Sequence, residues 1–295
     1  MKTLKNICLS LALALLGITA CTTSSPPDIG AMSFSSEPLL GKVIWHDLLT
    51  EDIDSAREFY AGLFGWQFEE SRGSRGEKYV LARKGDILVA GILGVSMPDD
   101  GNAYTRWLPY ISVDDVDAAA ARGAADGANV VVAPRNVGFG RVAAITDPEG
   151  AVIGIARVSI GDPDDNTTAA APGRPVWTEL LADDPAAAAG FYASMAGYDV
   201  RTIERRGGEY TLLSSDGIDR AGVFEKPSDT DAQSIWLTAF GVEDPAAAAA
   251  KAESLGGSIL LPASPDLRDG TTAVITDPSG AVLVLRSWLA TGEDE

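Results

Sequence analysis

The sequence predicts an α+β chain of two tandem domains, each built from two βαβββ modules, and three observations predict it. Residues 41–69, GKVIWHDLLTEDIDSAREFYAGLFGWQFE, recur without insertion at residues 173–201 as GRPVWTELLADDPAAAAGFYASMAGYDVR. Trp45 thereby matches Trp177, Asp47 matches Glu179, Phe59 and Tyr60 match Phe191 and Tyr192, and Gly65 matches Gly197. A period of roughly 130 residues is too long for a solenoid unit and suits two similar domains. Each half also holds two apolar stretches that run into an aspartate and then a helical pattern, at Asp52, Asp115, Asp184 and Asp244. Each half closes on the same turn, TDPEG at 146–150 and TDPSG at 276–280, with Asp, Pro and Gly where a type I turn takes them.

Lys2 and Lys5 precede an apolar run at 7–18 and then Thr19, Ala20 and Cys21, the layout of a cleavable export signal. The run is too short to span a bilayer. Ile18-Thr19-Ala20-Cys21 resembles a bacterial lipobox, which implies cleavage before Cys21 and lipidation of that cysteine, so that a lipid anchors a soluble body. An ordinary secretory signal is the alternative. Thr22 in place of an aspartate after the cysteine implies, by resemblance to Gram-negative sorting, the outer membrane facing the periplasm. Cys8 falls in the removed leader, so a mature chain has only Cys21 and neither a disulfide nor thiol catalysis is expected. The expected division is a signal at 1–20, a tether at 21–40, domain one at 41–158, a linker at 159–172, domain two at 173–289 and a tail at 290–295.

Residues 42–50 are apolar and read as a strand; Asp52 caps a helix whose Ala56, Phe59, Tyr60 and Leu63 share one face, and Gly65 ends it. In the second copy Pro185 follows Asp184, which suits a first helical position because proline lacks only an N–H that the helix would leave unpaired. Strands are expected near 66–69, 79–83 and 87–93. A second module then runs from Trp107 through a cap at Asp115, an Ala-rich helix and strands near Val130, Val142 and Val152. The segment GDPDDNTTAAAPGRP between the halves reads as a solvated linker.

The chain has 42 acidic and 23 basic residues, a net charge of -19, which argues against binding a nucleic-acid backbone. It contains a single histidine.

The motif D-x-D-x-A-x-x-F-Y-x-x-x-x-G-W at 52–66, the paired modules and the closing DPxGA turns together resemble the vicinal oxygen chelate (VOC) superfamily of glyoxalases, bleomycin-resistance proteins and extradiol dioxygenases. The resemblance covers nearly all of residues 41–289. It implies sheets curled into cups and, in catalytic members, a divalent metal held by His, Gln or Glu from the first, fourth, fifth and eighth strands. The matching positions here are Trp45 and Trp177, Leu108 and Leu237, and Gly154 and Val284, none of them a ligand; the fourth strands offer only Asp86 and Asp219. A catalytic metal takes about three protein ligands, so neither a metal, another cofactor nor a catalytic residue is expected.

Strand alternation puts Trp45 with Asp47, and Trp177 with Glu179, on the cup face, with Tyr110 facing the first cup opposite a matching Ala239. An aromatic plane beside a carboxylate suits an apolar or cationic small molecule; the alternative is that the aromatics merely fill the cup. His46 falls on the opposite face from Trp45, away from any ligand position. Arg72, Arg75 and Lys78, with Arg201, Arg205 and Arg206, form basic loop regions that either attract an anion or are simply solvated. The leading expectation is an envelope-anchored VOC protein binding an unidentified small molecule without metal. The alternatives are a glyoxalase or lyase-type enzyme with an atypical metal, and a structural or interaction protein.

Overall fold

The computed structural model describes residues 32–72, 76–96, 105–165, 172–205, 208–227 and 233–288. The expected signal, Cys21, the first part of the tether, Arg75, Arg206 and the tail lie outside the described residues, as does the side chain of Arg72.

The first module follows from local rules. β1 (Val43–Thr50) leads into Asp52, whose carboxylate accepts a hydrogen bond from the Ser55 N–H at 2.9 Å and so caps α1 (Ile53–Phe64). The helix buries Ala56, Phe59, Tyr60, Leu63 and Phe64 and stops at Gly65, whose φ of 70° is left-handed and costs glycine no steric strain. β2 (Gln67–Arg72), β3 (Lys78–Lys84) and β4 (Ile87–Gly94) form an antiparallel meander that brings β4 back parallel to β1. The second module repeats this with β5 (Arg106–Ser112), α2 (Val116–Ala125) capped by Asp115, β6 (Asn129–Val137), β7 (Gly140–Thr146) and β8 (Val152–Val158). Antiparallel pairing of β1 with β5 joins the modules into one sheet, in the order β2-β3-β4-β1-β5-β8-β7-β6.

Domain two copies the topology. Its elements are β9 (Pro175–Ala182), α3 (Pro185–Ala196), β10 (Asp199–Arg205), β11 (Gly208–Ser215), β12 (Ile218–Glu225), β13 (Ile235–Val242), α4 (Pro245–Ser254), β14 (Ser258–Leu261), β15 (Thr272–Thr276) and β16 (Val282–Ser287). The sheet order is β10-β11-β12-β9-β13-β16-β15-β14.

The helix-bearing faces of the two sheets pack on each other, α1 against α4 and α2 against α3. Each of the two main cores is therefore shared: one joins Phe59, Tyr60 and Trp107 to Phe240, Ile275 and Leu283, the other joins Ile111, Ile145 and Ile153 to Phe191, Tyr192 and Trp236. Burying a large apolar side chain stabilises by about 1.5–3 kcal/mol, so neither half keeps its full core without the other.

The repeated motifs meet across this interface. The Tyr60 hydroxyl donates to Asp277 of the TDPSG turn at 3.1 Å and accepts from the Trp107 indole N–H at 3.1 Å. Tyr192 does the same with Asp147 of the TDPEG turn (2.9 Å) and Trp236 (2.8 Å). The Trp66 indole N–H bonds the Gly173 carbonyl at 2.7 Å, and Tyr198 bonds the Gly41 carbonyl. His46 lies at the centre, 6% exposed, with its Nε2 at 3.2 Å from Thr178 Oγ1. Burial pushes its pKa down to about 3, so the ring is neutral.

One expectation is corrected. The linker is not solvated at residues 161–165, and residues 33–40 are not a free tether. Phe34 bridges Pro163, the Ser35 N–H bonds the Asp162 carbonyl at 2.8 Å, and the buried Asp162 carboxylate accepts from Ser112 Oγ (2.6 Å) and the Leu39 N–H (2.8 Å). Lys42 and Arg220 both pair with Asp165. An acidic composition reads as solvated until these donors are brought to it by the fold.

Candidate functional site

The outer face of each sheet forms the cup. In the first, β1 presents Trp45 and Asp47 on one face, β5 sets Tyr110 opposite Trp45, and β3 brings Tyr79 over the floor. The Trp45 indole N–H donates to Asp47 Oδ1 at 2.8 Å and to the Tyr79 hydroxyl at 3.0 Å, while Tyr79 donates to the same Oδ1 at 2.7 Å. The Tyr110 hydroxyl stands near enough to Asp47 to favour its charged form. The carboxylate is 7% exposed, whereas the three aromatic side chains are half-buried. Burial raises the pKa of Asp47, and the bonds from Tyr79 and Trp45, with the nearby Tyr110 hydroxyl, pull it back. The Tyr79 and Tyr110 hydroxyls are pushed up by burial and then by the charge of Asp47, which keeps them protonated as donors. Asp47 thus acts as a fixed acceptor that sets the planes of two rings, Trp45 and Tyr79, with Tyr110 beside them.

The second cup shares the plan and differs in charge. Glu179, 4% exposed, accepts from the Tyr210 hydroxyl at 2.7 Å, Arg268 Nη2 at 2.7 Å and Arg286 Nη2 at 3.3 Å, all at Oε1. The Trp177 N–H bonds Tyr210 at 2.9 Å rather than the acid. The Arg205 guanidinium lies 4.1 Å from the Tyr210 ring centre. Two guanidinium groups already meet Glu179, so of the apolar or cationic ligand expected from sequence the cationic one does not suit this cup. Of the other basic residues, Lys78 is exposed and Arg201 pairs with Asp219.

The residues do not fit the superfamily metal. On the strands that the resemblance assigns to ligands, the first cup has Trp45, Gly91, Leu108 and Gly154, and the second has Trp177, Gly222, Leu237 and Val284. Any side chain at Gly91 would overlap the Tyr79 hydroxyl and Asp47, one at Gly222 would overlap the Tyr210 hydroxyl, and one at Gly154 would overlap the Tyr110 ring. Tyrosines thus occupy the space of the fourth-strand ligand in both cups and of the eighth-strand ligand in the first. Asp86 is exposed in the turn before β4, outside the cup. Among the described residues no three His, Cys, Asp or Glu side chains converge as a metal site.

The sequence reading brought Trp45, Asp47 and Tyr110 together, and Trp177 and Glu179, but missed Tyr79, Tyr210, Arg268 and Arg286. Tyr79 and Tyr210 carried a signal, since EKYVLA and GEYTLL occupy matching places in the repeat. Arg286 was legible as the second residue beyond Val284 on the same strand face. Arg268 had no signal, because the segment before β15 has no counterpart in the first half.

Eight-stranded cups of paired βαβββ modules define a glyoxalase-like class of protein. The chain belongs to the Glyoxalase/Bleomycin resistance protein/Dioxygenase superfamily, whose profile matches residues 42–155 and 174–285. It is 33% identical over 252 residues to "Putative glyoxylase CFP32" of Mycobacterium tuberculosis (strain CDC 1551 / Oshkosh), covering 84% of this chain and 95% of that one. It is 29% identical over 253 residues to "Anthracycline biosynthesis protein DauV" of Streptomyces sp. (strain C5), covering 82% and 91%. Among solved structures, the Mn(II)-bound glyoxalase from Novosphingobium aromaticivorans aligns with a TM-score of 0.54 at 14% identity over 84% of this chain and 82% of that one. The 2,3-dioxygenase LapB from Pseudomonas sp. KL28 aligns at 0.53, also at 14% identity, over 87% and 93%. At these identities the structural likeness is one of fold.

Proposed function

We propose that this chain is a lipid-anchored envelope protein whose first cup binds a flat, largely apolar small molecule without the superfamily metal. The observation that carries this reading is the cluster of Trp45, Tyr79 and Tyr110 around the buried carboxylate of Asp47, at the level where the superfamily's ligands would stand. Ring planes locked by hydrogen bonds lose little further freedom when a planar molecule stacks on them. The charge of Asp47 is taken up by these donors, so stacking and not ion pairing supplies the affinity. The name of the Streptomyces relative supports a planar polycyclic ligand. Anchoring through Cys21, in the outer membrane and facing the periplasm, rests on the lipobox, and the net charge of -19 speaks against nucleic acid.

The test is titration of the purified protein with an anthracycline, read by tryptophan fluorescence, alongside native mass spectrometry. Quenching that persists in EDTA and disappears in Trp45→Ala is expected; equal binding by wild type and Trp45→Ala overturns the reading. For the anchor, Cys21→Ala should release the protein from the membrane fraction, and a variant that is still processed and membrane-bound refutes it.

A second reading is a glyoxalase or lyase-type enzyme, supported by the name of the mycobacterial relative. Elemental analysis showing a stoichiometric metal, lost together with turnover of a 2-oxoaldehyde thiol adduct, would favour it.

A further inference from the structure

We propose that the second cup is a site for the carboxylate of a small organic acid, gripped by Arg268 and Arg286 with Trp177 against its apolar body. This rests on the reading that the cups receive small molecules, and it assigns the two cups different ligand chemistry.

Charge is the first argument. Arg268 and Arg286 share one carboxylate oxygen of Glu179, and both meet it through Nη2, so the two guanidinium groups are held side by side. Arg205 over Tyr210 adds a third cation. One buried carboxylate thus meets two guanidinium groups, with Arg205 at the Tyr210 ring beside them, in a protein whose net charge is -19, and the excess is local and positive. The N–H groups that do not point to Glu179 form the planar fork that binds carboxylates bidentately. The first cup has Ala156 in the register position of Arg286, beside Ser112 as Arg286 is beside Gly241, so it lacks the paired guanidinium groups; its own cation near Tyr110 is Arg135 on β6.

An orphan hydroxyl is the second argument. Thr272 pairs with Arg286 across β15 and β16 on the cup face, is 3% exposed, and its Oγ1 has no hydrogen-bond partner. A buried hydroxyl left unpaired costs about 1–3 kcal/mol, and an oxyanion drawn in by Arg286 supplies the missing acceptor. Third, Arg268 and Asp269 hold φ of 48° and 55°, a left-handed backbone that residues other than glycine avoid. This strain carries the Arg268 side chain onto Glu179, the kind of outlier found at ligand clamps. Glu179 is a positioning residue: it fixes the guanidinium groups through Oε1 and competes with the incoming acid for them.

The experiment is calorimetric titration of the full-length protein with benzoate, benzamide and inorganic phosphate. Benzoate should bind, with benzamide at least about tenfold weaker for lack of charge-assisted hydrogen bonds. Arg268→Gln should weaken benzoate about tenfold, and Glu179→Gln should strengthen it several-fold, because the amide still accepts from Tyr210 but no longer neutralises the arginines. A role of Glu179 confined to folding would not raise anion affinity. Benzoate affinity unchanged in Arg268→Gln, or lowered in Glu179→Gln, overturns the proposal, as does phosphate binding as tightly as benzoate, which would mean a bare anion patch. If benzoate fails to bind while an anthracycline still quenches through Trp45, this inference falls and the reading of the first cup stands. If benzoate binds as expected and the anthracycline does not, the reading of the first cup falls and this inference stands.

Discussion

Replacing Tyr60 by phenylalanine removes one oxygen from a buried chain of donors that spans both domains. Asp277 accepts the N–H groups of Ser279 and Ala281 at Oδ1 (both 2.9 Å) and the Tyr60 hydroxyl at Oδ2 (3.1 Å). Without that hydroxyl, Oδ2 loses its donor and the Trp107 N–H, 3.1 Å from the same oxygen, loses its acceptor. A hydrogen bond to a charged group contributes about 1.5–3 kcal/mol and a stranded buried N–H costs about 1–3 kcal/mol; with partial relaxation the expected loss is about 2–5 kcal/mol. Tyr192→Phe removes the matching bonds to Asp147 and from Trp236 and should cost the same. Because each core draws on both halves, either variant should shift one unfolding transition of the whole chain, and not the transition of a single domain. The assay is equilibrium unfolding in guanidinium chloride, followed by tryptophan fluorescence and far-ultraviolet circular dichroism. Two separated transitions with only one moved, or a loss below about 0.5 kcal/mol as for a surface substitution, would refute the reasoning.

The buried His46 gives a signed pH dependence. Its pKa falls from 6.5 unfolded to about 3 folded, so between these values the unfolded chain binds the extra proton, and stability present above pH 6.5 is lost as pH falls toward 3. Subtracting the pH–stability curve of His46→Gln should leave a slope approaching 1.4 kcal/mol per pH unit in that window; a flat difference would show that His46 does not titrate there. Asp47, Asp147 and Asp277, raised by burial, act in the opposite sense, but they are common to both proteins and cancel. Gly91→Ala should cost about 1–3 kcal/mol as an overpacked site and should alter Trp45 emission, since the new methyl displaces Tyr79 and Asp47; wild-type emission and stability would mean that the floor of the cup is loose. Chelator should leave the melting temperature unchanged, checked by differential scanning calorimetry, and a fall that added metal restores would contradict the misfit of the ligand positions.

The features legible in the chain alone are local ones. A strand that alternates, an aspartate that caps the next turn and a glycine that ends the helix act within a few residues of each other, and the repeat supplied each signal twice. Those rules set the four modules, the shared face of Trp45 and Asp47, and the absence of ligands on the first, fifth and eighth strands. Strand parity also put His46 on the inner face, although nothing local showed that Thr178 of the other domain waits there.

Which surfaces meet was settled by packing over long range. Tyr60 and Asp277 are far apart in the chain, and no periodicity of 2 or 3.6 residues encodes their bond. The closing turns, legible as turns, become acceptors for the opposite domain because back-to-back packing buries them there. The same holds for the cups. Tyr79 covers Gly91 because the meander folds β3 over the floor, and Arg268 reaches Glu179 from a left-handed turn that lacks a counterpart in the first half. Charge in the second cup is therefore a property of packing: the sequence shows a carboxylate at Glu179, and the fold surrounds it with guanidinium groups.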